Sequence, residues 1–167
     1  METVDIYTAD GLRTGKAVVR GTPLADDEYR LLTGVWVLDG NGRTLLQQRQ
    51  STKSYCPDLW EVPGGTVQAG EDSRTAAVRE LAAETGIQAR ALTLLGRITY
   101  TGTEGFHCLF DCYLYRCAET PAVTLQTEEV ADYLWIMPQQ LERRLSAPDT
   151  EPITRQIWQR WQAEILR

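Results

Sequence analysis

The sequence predicts an α+β fold, a mixed β-sheet sandwiched between helices, and three observations lead there. Strand-like and helix-like runs interleave along the chain without the regular βαβ repeat of a doubly wound parallel sheet. A helical segment over residues 72–85 carries its own start and stop signals. Near the end, Ile153, Ile157, Trp161 and Ile165 recur at the spacing of one helix face, which gives a closing helix over 152–167 able to cover the sheet. A chain of 167 residues fits one domain, 1–167, with no internal boundary.

Taken in order, residues 4–20 read as two extended segments joined at Asp10-Gly11, so residues 1–30 form an N-terminal hairpin extension. A second hairpin follows, LLTGVWVL and TLLQQR around the turn residues Asp39-Gly40-Asn41-Gly42. Residues 51–63 hold two prolines and no helical period. They read as a connecting loop anchored by Trp60. In the helix 72–85, Ala76, Ala77, Leu81 and Ala83 sit among charges, and Gly86 supplies the stop. Two strands then flank the turn-rich TGTEG, DYLWIM forms one more strand, and Pro138 opens the helical QQLERRL.

Composition bounds the partners. Seventeen basic against 23 acidic residues give a net charge of −6, which disfavours nucleic acid and anionic membranes as partners. A small phosphorylated substrate stays compatible, because a few arginines and a bound cation can reverse the field inside one cleft. The N-terminal METVDIYTADG lacks the apolar run of a signal peptide, and no stretch approaches a membrane span, so a cytoplasmic location is expected. The four cysteines form no CxxC pair and His107 is the single histidine, a poor basis for zinc. Cys108 and Cys112 share one strand face and are expected to pack.

The chemistry is carried by GGTVQAGEDSRTAAVRELAAETGI, residues 64–87. On a helix, positions 80, 83 and 84 fall within roughly a 100° arc, so carboxylates there converge. Glu80 and Glu84 suit a hard divalent cation, magnesium or manganese, which takes carboxylate oxygens, waters and substrate phosphates. The paired glycines are expected to let the backbone turn sharply, with the Gly64 carbonyl joining the metal shell. Arg79 points to a different flank and is expected to pair with Glu71, bracing the loop against the helix. Taken alone, Glu80 and Glu84 could equally be a solvated helix face.

The frame Gly65, Glu71, Arg79-Glu80, Leu81, Glu84, Gly86-Ile87 resembles the Nudix signature at every fixed position but one. Ala83 stands where the first glutamate of a Glu-Glu pair is expected. The resemblance covers roughly residues 30–140 and implies an αβα sandwich whose motif helix holds metal and hydrolyses a diphosphate linkage in a nucleoside diphosphate derivative or similar small metabolite. It also implies a further carboxylate from a late loop, a place occupied here by Glu128 and Glu129.

Ala83 leaves three outcomes open: weaker metal binding with activity kept, replacement by Glu128 or Glu129, or a binding or regulatory module without turnover. Residues 4–49 are similar to the branch related to isopentenyl-diphosphate isomerase. The cysteine before the motif and the several metal-binding histidines that such an isomerase implies are nevertheless missing, since Gly64-Gly65 and one histidine stand instead. Arg49 and Arg97 are candidate phosphate contacts through the bidentate guanidinium fork. Trp36, Tyr100 and Phe106 could stack on a base or fill a core. Trp158 and Trp161 are expected in the core or at a homodimer interface.

Overall fold

A computed structural model describes residues 1–102 and 106–167. The strands are β1 (Thr3–Tyr7), β2 (Arg13–Val19), β3 (Arg30–Leu38), β4 (Thr44–Arg49), β5 (Trp60–Glu61), β6 (Gly64–Thr66), β7 (Thr93–Thr101), β8 (His107–Arg116) and β9 (Val130–Ile136). The helices are α1 (Ser73–Thr85), α2 (Leu141–Leu145) and α3 (Pro152–Leu166), with a 3₁₀ turn at Pro138–Gln140.

Strand β3 organises the molecule. It pairs in parallel with β8 along its whole length and antiparallel with β6, while β7 continues the sheet beyond β8. Its alternation divides the core. Trp36 and Leu38, with Cys108, Phe110 and Cys112 of β8, face Leu141, Ile153, Ile157 and Trp158 of the later helices. Val35 and Val37, with Leu45 and Tyr113, face Ala77 and Leu81 of α1. The mixed sheet thus lies between α1 on one side and α2 and α3 on the other, the αβα sandwich expected. Cys108 and Cys112 pack together as anticipated, and Trp158 stacks on Trp36 inside the core.

Two expectations are corrected, and the N-terminal hairpin gains contacts that its sequence does not announce. The turn at Asp39–Gly42 forms, with Asp39 Oδ1 accepting from the Asn41 and Arg43 amides, but β3 and β4 pair only at Leu38 and Thr44. The two strands then splay, β4 joining β5 and β9, because β3 is a central strand with nearly every residue buried. The supposed loop 51–63 ends in β5, which pairs with β4 and carries the anchoring Trp60 into the core. The N-terminal hairpin forms its own two-stranded sheet and is tied to the loop before α1. Thr3 O accepts from the Ala69 amide, Asp5 Oδ2 from the Gly70 amide at 2.8 Å, and Arg13 donates to Glu71 O at 2.9 Å. The turn TGTEG lies partly outside the described residues.

Candidate metal and phosphate site

Helix α1 starts where Asp72 accepts a hydrogen bond from the Thr75 amide at 2.7 Å and stops where Gly86 takes a left-handed φ of 76°. Ala76, Ala77 and Leu81 seat it on the sheet, and this turns Glu80, Ala83 and Glu84 toward a cavity of about 460 Å³. The expected pairing of Arg79 with Glu71 is present, two parallel bonds of 2.8 and 2.9 Å, and Arg79 also donates to Thr66 O at 3.1 Å. It does more than brace the loop. A further bond from Arg79 reaches Glu80, contrary to the separate flank expected for it. Neighbouring residues on a helix diverge at Cα, but the long guanidinium arm bridges back.

Gly64 and Gly65 lie in β6 rather than in a sharp turn, and neither has positive φ. Close approach is what requires glycine. A Cβ at Gly64 would meet Thr33 O at 2.2 Å, and one at Gly65 would meet the Glu80 carboxylate carbon at 2.5 Å. The Gly64 amide donates to Glu84 Oε2 at 3.0 Å, and Gln47 Nε2 donates to the same oxygen at 2.8 Å. Both bonds fall on one oxygen of a carboxylate that is 7% exposed.

Two carboxylates not singled out in the sequence share this region. Glu61 of β5 lines the cavity and takes both Arg49 Nη1 contacts at 3.0 and 3.1 Å. Glu151 caps α3, accepting from Ile153, Thr154 and the Tyr55 hydroxyl, and is thereby spent on structure. Burial, then the like charge of Glu61, pushes the Glu84 carboxyl well above the usual range, while Gln47 and the Gly64 amide oppose the rise. Burial also lifts Glu61, to about 7, against the pull of Arg49, and lifts Glu80 against Arg79. Carboxylates crowded and desolvated in this way are suited to a divalent cation, which would relieve both costs. Among the described residues no three carboxylates close tightly around one point. Arg49 and Arg79 hold Glu61 and Glu80 by ion pairs instead.

The remaining candidates separate. Arg49 lines the cavity, with its charge engaged by Glu61. Arg97 does not line it: it is paired bidentately with Asp111 on β8 at 2.6 and 2.9 Å, which consumes the fork that a phosphate would need. Glu129 reaches the cavity and pairs with Lys53, whereas Glu128 is exposed and does not line it. Trp36 is core, and of the three aromatic candidates only Phe106 lines the cavity.

The NUDIX domain family model matches residues 28–157, somewhat beyond the 30–140 read from the motif. An uncharacterised Nudix hydrolase of Listeria monocytogenes is 31% identical over 153 residues, 91% of this chain and 89% of that protein. A Deinococcus radiodurans crystal structure superposes with a TM-score of 0.75 at 18% identity, covering 96% of this chain and 99% of its own. The MutT protein of Methanosarcina mazei gives a TM-score of 0.72 at 21% identity, covering 83% and 96%.

Proposed function

The chain belongs to the Nudix family of pyrophosphohydrolases, and on that premise we propose that it hydrolyses the diphosphate linkage of a nucleoside diphosphate derivative with magnesium or manganese. The observation that carries this reading is the convergence of Glu61, Glu80 and Glu84 on a cavity whose walls also hold Arg20, Arg30 and Lys53. Carboxylates for a cation and cations for phosphates occur in one space of about 460 Å³, of the size that small-molecule sites have.

Glu80 and Glu84 hold the cation, with the Gly64 carbonyl as a further oxygen. Glu61 supplies the negative charge missing at Ala83. A divalent ion bound there supplies Lewis-acid polarisation of phosphoryl oxygens. The chain does the rest by positioning. Gln47 and the Gly64 amide fix one oxygen of Glu84 and leave the other for the cation. Arg79 orients Glu80, and Arg49 orients Glu61. Glu129, at the cavity wall beside Lys53, is the candidate to accept the proton of the attacking water. Lys53 is then free to meet a phosphate oxygen.

Chromatographic detection of the nucleoside monophosphate and its phosphorylated co-product from nucleoside di- and triphosphates, dinucleotides and nucleotide sugars, run with both metals, tests the proposal. Wild type should turn over at least one class, and Glu84→Gln should lower kcat/KM by about a thousandfold, the several kcal/mol expected of a lost cation site. No product from the whole panel, or full activity in Glu84→Gln, overturns it. Ala83, exposed at the cavity, favours a second reading, a nucleotide-binding module without turnover. Calorimetric binding of metal and nucleotide with no product would select that reading.

A further inference from the structure

Four side chains form a ladder along the cavity: the Arg30 guanidinium lies 5.6 Å from the Phe106 ring centre, Phe106 stacks on Tyr55 at 4.9 Å, and Arg49 covers Tyr55 at 5.4 Å. The two ends differ. Arg49 is neutralised by Glu61, whereas among the described residues Arg30 has no acidic partner and its buried Nε has no hydrogen bond. A buried donor left unmade costs on the order of 1–3 kcal/mol, and an anion entering the cavity would recover that cost.

A second guanidinium faces the same space. Arg20, at the end of the N-terminal hairpin and outside the residues matched by the family model, lines the cavity and among the described residues forms an ion pair only with the partly exposed Glu2, at 3.1 Å. Arg20 and Arg30 line the same cavity, and the like charge of Arg20, added to burial, lowers the Arg30 pKa. Two cations kept together across a cavity lower their repulsion by sharing an anion. A dianionic phosphoryl group matches both their charge and their number of donors, which a monoanionic carboxylate does not.

We propose that Arg30 and Arg20 form a second anion subsite holding a further phosphoryl group of the substrate, beyond the diphosphate linkage that is cleaved. This deepens, and rests on, the reading of the cavity as a diphosphate site. Two sources share the chemistry: a third phosphate in an extended chain, or a phosphate on the distal sugar of a nucleotide sugar.

Equilibrium binding with magnesium present separates them. One arm compares methylenediphosphonate with its three-phosphorus methylene-bridged homologue. The other compares methylene-bridged ADP-ribose with and without a phosphate on its distal ribose. Wild type should favour the extra phosphoryl group by about 10- to 100-fold in one arm, the worth of a charge-assisted contact. Arg30→Met and Arg20→Met should each bring that ratio close to one. Equal affinities in both arms, or a ratio that survives Arg30→Met, overturn the subsite. If Arg30→Met fails to melt cooperatively, Arg20→Met, at a half-exposed side chain, decides alone. Loss of the proposed hydrolysis reads differently, as absent product from wild type with the binding ratio intact.

Discussion

At the scale of single residues the question is the charge absent at Ala83. Glu84 still feels two like charges, since both Glu61 and Glu80 raise its carboxyl after burial has done so. Ala83→Glu adds a ligand on the exposed cavity face and should tighten manganese binding by about tenfold, ~1.4 kcal/mol, measured by calorimetry. Unchanged affinity would mean that Glu61 already fills the vacancy completely. Helical spacing made Glu80, Glu84 and the Glu71–Arg79 brace legible, because an arc on one helix is a local property. Glu61 was not legible, although WEVPGG carries it three residues ahead of Gly64. Its approach to Glu84 depends on β5 pairing with β4, a tertiary fact. Glu151 did carry a local signal, standing directly before Pro152 as a helix cap. Arg97 failed as a candidate because Asp111, its partner across β7 and β8, becomes visible only once strand register is known.

At the scale of elements, turns and caps were readable and strand partners were not. The Asp39–Gly42 turn formed as expected, yet its strands separate. Asp39 has a fully buried side chain, and burial alone would raise its pKa. Bonds from the Arg43 and Asn41 amides, Thr120 and the Arg43 guanidinium outweigh burial and hold it below its usual 3.8. A depressed folded pKa gives stability that is present above the unfolded value and lost as pH falls through the folded one. Asp39→Asn should therefore cost about 2 kcal/mol at pH 7 by denaturant unfolding, with the difference fading as pH drops below the 3.8 reference value. Helix α3 offers a second test. It kinks at Trp161, whose ring packs so near Gly96 that an added Cβ would stand 2.5 Å from Cζ2. Gly96→Ala should cost about 1–3 kcal/mol, and a neutral result would show that the kink absorbs the methyl group freely.

At the scale of the whole molecule, the αβα layering was legible from the interleaving of strand and helix patterns, while the reach of the N-terminal hairpin was not. Its sequence reads as an independent turn between two extended runs, but Asp5 and Arg13 grip the loop that precedes α1. Repulsion within the carboxylate cluster opposes the folded state until a cation enters. Magnesium should therefore raise the melting temperature, and a chelator should reverse the rise, with about 2.7 kcal/mol gained at a hundred times the dissociation constant. Glu84→Gln should remove most of that dependence. No helix is long and apolar enough to cross a membrane among the described residues, and against the net charge of −6 the cavity lining is balanced, five cations facing five carboxylates.

The rate of nucleoside monophosphate release as a function of manganese concentration, in wild type, Glu61→Gln and Glu84→Gln, tests the central claim most directly. The account predicts saturation in wild type, saturation displaced at least tenfold upward in Glu61→Gln, and a flat line near zero in Glu84→Gln. A wild-type rate independent of metal, or coincident curves for all three proteins, would contradict it.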